Sequence, residues 1–179
     1  MENRNVLKQL IPLMLVVFGA SLMRVVSHIP NVTPIAAIAL FSGATLKGWR
    51  AYAIPFIAML IADVIIGFHA TMPFVYGSFV FTTFLGHRLK KYTSLRLFTI
   101  TSISSVVFFI ITNFGVWAMS GMYVKDSFGL MQSYIMGLPF LRNTLMGDIC
   151  YTFSIFYGYA FLERIITSKY ISRLVVKKV

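Results

Sequence analysis

Two aspartates, Asp63 and Asp148, and two arginines, Arg24 and Arg142, stand inside otherwise apolar runs of this 179-residue chain. A charged side chain at the centre of an apolar helix costs about 2.5–3.5 kcal/mol on membrane-insertion scales. Such a group pairs with an opposite charge or meets a polar ligand. Asp63 and Arg142 carry opposite charges at similar predicted depth, so they are expected to pair or to share a ligand. Arg24 is the second candidate partner of Asp63. Asp148 follows Arg142 by six residues, which places it on another helix face and about 9 Å deeper. Thr144, Asp148 and Thr152 recur every four residues and predict an inward stripe with Tyr151 beside it. Asn143 adjoins Arg142. Asn113 and Trp117 share a face at i and i+4. His28 and Asn31 fall in the loop after the first apolar run. Together these residues have the chemistry of a polar binding pocket.

The same residues have simpler explanations. The Asp63–Arg142 pair could be a staple between two helices. Arg24 could snorkel to a headgroup layer, and Asn113 could join two helices. His28 and His69 could face solvent. His28, His69 and Asp63 could compose a metal site, but their separations match no familiar ligand spacing. The chain contains no Gly-x-Ser-x-Gly, no His-Glu-x-x-His and no phosphate-cradling glycine loop. Neither a hydrolase elbow nor a built-in ATPase is therefore expected. No catalytic residue, metal or cofactor is predicted.

The elements that must position these residues are helices in a bilayer. The chain is 58% hydrophobic and only 12% charged, about half the charged fraction of an ordinary soluble domain. Apolar segments at about 10–26, 34–46, 51–68, 73–86, 97–119 and 139–162 predict an all-α integral membrane bundle of six transmembrane helices in one domain. The segment at 34–46 is short for a span. Gly19-Ala20-Ser21 could mimic a signal-peptide cleavage site, but the apolar run continues past it, which favours a retained helix. The net charge is +11, from 16 Lys and Arg against 5 Asp and Glu. Cytoplasmic loops collect basic residues, so this excess needs no nucleic acid. With both termini inside, the cytoplasmic side holds thirteen of the sixteen basic residues, and only Arg24, Lys125 and Arg142 fall outside. A re-entrant second segment would put the cluster at 87–96 outside. Six spans, N-in and C-in, is therefore the expected topology. It places nearly every intramembrane polar residue in the outer half and predicts a pocket open to the outside, built from helices 1, 3, 5 and 6 with the first outer loop. Ala39 and Gly43 form a small-xxx-small pair that predicts close helix packing. Cys150, the single cysteine, can form no intrachain disulfide.

Four stretches also resemble a bacterial family of uncharacterised membrane transport proteins. They are the run from Asn31 to Ala44, Ile61 to His69, Ile111 to Trp117, and Pro139 to Asp148. The resemblance spans about residues 24–158. That family is similar in size and layout to the S-components of energy-coupling-factor (ECF) vitamin transporters, whose solitary cobalamin type is the nearest functional analogue. The resemblance implies capture of a small molecule, such as a vitamin or similar micronutrient, from outside and its release inside. It implies an inner-membrane location and, as partners, a small-molecule substrate, the lipid bilayer and an energising transporter module. Helix 1 has no Ala-x-x-x-Ala pattern of the kind used to dock on such a module. No cysteine lies in the 70–80 region, where the cobalamin type has its cobalt ligand, leaving His28 as a substitute.

The expected function is thus substrate binding for uptake, with Arg142 and Asp63 central. His28, Asn113, Trp117, Asn143, Asn31, Asp148 and Arg24 are expected to support them. A structural or assembly subunit without its own ligand is the alternative. An intramembrane metal-dependent enzyme using Asp63, Asp148 and His69 is a further one.

Overall fold

The computed structural model describes residues 17–27, 29–89 and 92–176, with side chains as far as residue 165. Among the described residues there are six helices and no strand. They are α1 (Val17–Val26), α2 (Ile35–Thr45), α3 (Trp49–Ile66), α4 (Met72–His87), α5 (Ser94–Met119) and α6 (Ser127–Val176). The expected start of the first helix, at about 10–16, lies outside the described residues, as do His28, Lys90 and Lys91.

Local chemistry sets most boundaries. Gly48 (φ 65°) precedes α3, and Gly67 (φ 106°) ends it, donating its N–H to Asp63 O at 2.8 Å. Both backbone angles lie where a Cβ is unfavourable, so glycine can stop a helix there. α3 therefore ends slightly before the expected 68. Thr93 caps α5 by accepting from Arg96 N, as N-cap hydroxyls do.

α6 departs most from expectation. A loop was expected over 120–137, followed by a helix from Pro139. Instead the helix begins at Ser127 and runs for 50 residues through Pro139. Asp126 supplies the start signal, its Oδ1 accepting from Gly129 N at 2.7 Å. Proline inside a helix forfeits one ladder hydrogen bond. Here it does not terminate the helix, which continues unbroken on both sides.

Consecutive helices alternate in direction. On α4 and α5, Phe79 meets Phe108 and Phe74 meets Phe114, so the two run antiparallel. Ser105–Asp148 and Ser94–Tyr157 give the same relation for α5 and α6. α2 lies at the centre and packs on α3, α4, α5 and α6. Every side chain from Ile35 to Leu40 is buried. α2 and α4 run side by side with their backbones nearly touching. A Cβ on Gly43 would collide with Thr83 O, and one on Gly86 with Leu40 O. The close packing predicted from Ala39 and Gly43 is found, with Gly86 as the other half of the contact.

The outward faces are apolar, unlike those of a soluble bundle, while the largely apolar interior also holds many hydroxyls. Buried side chains include Ser21, Ser42, Ser78, Thr82, Thr83, Ser104 and Ser105. Many of these hydroxyls donate to a carbonyl of their own helix, as Ser78 does to Phe74 O and Thr83 to Phe79 O. Outward positions are apolar instead: Phe56, Leu60, Val64 and Ile65 on α3, and Phe98, Ile103, Val106 and Ile110 on α5. α3 and α5 are long and apolar enough to cross a membrane.

Candidate functional site

At the end of the bundle where α1 leads into α2, all six helices converge on a cavity of about 190 Å³. The loop between α1 and α2 covers it. Ser27 Oγ holds this loop by bonding Ile29 O at 3.0 Å and Val32 O at 2.9 Å. Asn31 sits in the loop with φ 64°, a conformation asparagine tolerates better than most residues. Val32 rests on α6 at Gly147, where an added Cβ would lie 3.2 Å from the Val32 backbone. Arg24, Asn31 and Thr33 line the cavity from α1 and the loop. Phe79, Thr82 and Phe108 line it from α4 and α5, and Thr144 and Asp148 from α6.

Asp148 is 3% exposed. Ser105 Oγ lies 2.7 Å from its Oδ2 and 3.0 Å from Thr101 O, so its single hydrogen is shared between these two acceptors, with the shorter contact to Asp148. The predicted stripe of Thr144, Asp148 and Thr152 does face inward, since all three are buried. One turn further along each helix, the buried hydroxyls of Thr101 and Thr152 have no hydrogen-bond partner among the described residues. A polar seam between α5 and α6 thus continues beyond the cavity.

The expected Asp63–Arg142 pair does not form. Asp63, fully buried, accepts from Arg24 Nη2 at 2.8 Å and from the Tyr76 hydroxyl at 2.8 Å. Its carboxylate is therefore satisfied by α1 and α4, and Arg24, the second candidate, is its partner. Arg142 is exposed on α6. The reason is the packing order: α3 lies against α2 and α4, whereas α6 lies against α5 and α2. Equal depth along the axis does not bring two residues together when another helix stands between them.

Other expected site residues divide in the same way. Arg24, Asn31 and Asp148 line the cavity. Asn113 donates to Phe109 O at 2.9 Å and fills the space left by Gly137. It belongs to the α5–α6 contact, with one amide N–H bonded within its own helix. The Trp117 indole donates to Val124 O at 3.0 Å, with Lys125 5.6 Å from the ring centroid. It secures the α5–α6 turn. Asn143 is half-buried beside Arg142 and is not among the cavity residues. His28 lies outside the described residues. His69 is exposed and hydrogen-bonds Thr71 at 2.8 Å. Among the described residues no three of His, Cys, Asp and Glu cluster closely enough to hold a metal.

Sequence reasoning missed Ser105, Thr82, Phe79 and Phe108, and with them the contributions of α4 and of the middle of α5. Hydroxyls and phenylalanines recur throughout both helices, and nothing in their spacing marks these four.

No curated protein and no solved structure matches the chain. The model of one family does match it, over residues 4–170, nearly the whole sequence, and the chain therefore belongs to that family, described as a family of unknown function (DUF6580).

Proposed function

We propose that this protein is a multi-pass membrane transport protein of S-component type. It binds a small molecule in the outer half of the cytoplasmic membrane for uptake. The observation that carries this reading is the cavity lined on one side by the α1–α2 loop, with the buried carboxyl of Asp148 in its wall. A carboxylate removed from water is costly unless something compensates it. Ser105 is its one hydrogen-bond donor among the described residues. A ligand supplies the missing compensation.

The apolar outward faces of the bundle support membrane residence for its helices. Apolar side chains face outward where lipid would be, and hydroxyls are satisfied within. α2 is too short to span alone, at 11 residues and about 16 Å. It is wrapped by its neighbours and needs no lipid-facing length. Lys47, Arg50, Arg88 and Arg96 lie at the end opposite the cavity, which favours that end as cytoplasmic. At about 190 Å³ the cavity is smaller than the roughly 300–1,000 Å³ of ordinary small-molecule pockets. A ligand fitting it as it stands is therefore much smaller than a corrinoid.

The ligand-free structural reading draws on one observation, the internal pairing of Arg24 with Asp63, which is a staple between α1 and α3. Asp148 has no such cation among the described residues. Native mass spectrometry on protein purified from its own membranes tests the proposal. A retained small molecule, lost in an Asp148→Asn variant that still accumulates, is the expected result. Retention of a protein partner with no small molecule at any stage would establish the structural subunit instead.

A further inference from the structure

The charges and hydrogen-bond directions around the cavity restrict the ligand's chemistry, given the reading of this cavity as a substrate site. Two charged side chains line it, Arg24 and Asp148. Arg24 is already neutralised by Asp63 at 2.8 Å. The Asp148 carboxyl is thus left without a cation among the described residues, and a cationic ligand is the partner that would hold it ionised in this buried site.

The hydroxyls point the same way. Thr144 Oγ1 donates its hydrogen to Phe140 O at 2.8 Å. Thr82 Oγ1 donates to Ser78 O at 2.9 Å and so must accept from Ser104 across the 2.7 Å contact. A hydroxyl has one hydrogen and two lone pairs. Both threonines have therefore used their hydrogens, and each retains a lone pair able to accept. With Asp148, three acceptors from α4 and α6 line the cavity. Phe79 and Phe108, whose ring centroids are 5.3 Å apart, line it too. Aromatic faces attract cations, the more so when desolvated.

Arg24 contributes the opposite requirement. Its Nε is buried without a hydrogen-bond partner among the described residues. The guanidinium has five N–H donors, so an acceptor on the ligand would meet a spare one without adding charge.

We infer that the ligand is a small primary ammonium compound carrying a neutral hydrogen-bond acceptor. Its ammonium group sits among Asp148, Thr82 and Thr144, and its acceptor faces Arg24. Three N–H donors meet three acceptors, and the net charge of the occupied site is zero.

The test uses three matched probes, 3-methoxypropylamine, 3-methoxypropan-1-ol and 3-methoxypropionate, on the full-length protein in lipid nanodiscs near pH 7. Binding is read by calorimetry and by the shift in thermal unfolding midpoint. The amine should bind at least tenfold tighter than the alcohol, and the acid should not bind. Asp148→Asn should weaken the amine at least tenfold. Thr144→Val, which removes one acceptor at nearly constant volume, should weaken it several-fold, and it carries the test alone if the Asp148 variant does not accumulate. Equal or tighter binding of the alcohol or the acid overturns the inference, as does unchanged amine affinity in the variant that accumulates. If the amine fails while native mass spectrometry finds a neutral or anionic molecule retained, the charge assignment falls and the binding reading stands. If no probe binds and nothing is retained, both fall.

Discussion

Arg24 and Asp63, 39 residues apart, form a 2.8 Å ion pair that joins α1 to α3, with the Tyr76 hydroxyl completing the carboxylate from α4. Asp63 is fully buried and Arg24 is 19% exposed. Removing one member strands the other, at a cost of about 3–5 kcal/mol for a buried pair. Arg24→Ala and Asp63→Ala should therefore each lower the thermal unfolding midpoint and the membrane yield. Exchanging the two residues should recover part of the loss. Arg142→Ala, on the exposed face of α6, should leave both measurements nearly unchanged. A loss in the Arg142 variant equal to that of Arg24→Ala would contradict the packing order described above.

The contact between Gly43 and Gly86 predicts a steric effect independent of charge. A methyl group at either position meets backbone of the opposite helix rather than a flexible side chain. Gly43→Ala should destabilise by about 1–3 kcal/mol, the usual range for overpacking, and Gly43→Leu by more. Chemical denaturation in mixed micelles would measure this. Gly158, which has open space around it, provides the control, and Gly158→Ala should be neutral or mildly stabilising.

Ser105 orients Asp148 from the neighbouring helix. Ser105→Ala removes a donor to a buried carboxylate, a loss of about 1–3 kcal/mol. It should also reduce affinity for whatever ligand is retained natively. Ser105→Thr keeps the hydroxyl and should preserve binding better than Ser105→Ala. Binding that is equally intact in both variants would show that Ser105 is not needed to position the carboxylate.

On the proposed membrane reading, orientation can be read by labelling. In a Cys150→Ser background, single cysteines at Asn31 and Lys125 should react with an impermeant maleimide on intact cells. Cysteines at Lys47 and Arg88 should react only after permeabilisation. The reverse pattern would place the cavity on the cytoplasmic side and contradict uptake from outside.

Much of the fold was readable from hydropathy. The predicted segments at 34–46, 73–86 and 97–119 correspond closely to α2, α4 and α5, because turn residues and charges interrupt the apolar runs there. The start of α6 was obscured because Phe128, Met131 and Tyr134 mix with Ser127, Gly129 and Gln132, and Pro139 resembled a boundary. The Asp126 cap was the overlooked signal. For the site, sequence gave depth along each helix but not rotation around its axis. α5 carries hydroxyls on several faces, so nothing distinguished the inward Ser105 from Ser102 three positions earlier. Asp148 therefore had no identifiable partner, and Asp63 was matched to a residue at the same level on a helix it does not touch.

The shortness of α2 bears on how such a protein is made. A segment of 11 residues covers little more than half of a hydrocarbon core about 30 Å thick. On the membrane reading it has little capacity to partition into lipid by itself as it leaves the ribosome. It becomes secure only when α3 and α4 arrive to enclose it, with α4 fitting the groove at Gly43. The cavity beneath the α1–α2 loop is then a late product of biogenesis, completed when α6, which carries Asp148, closes the ring. On that reading, a chain truncated before α6 would insert its earlier helices but lack the wall of the cavity that carries Thr144 and Asp148.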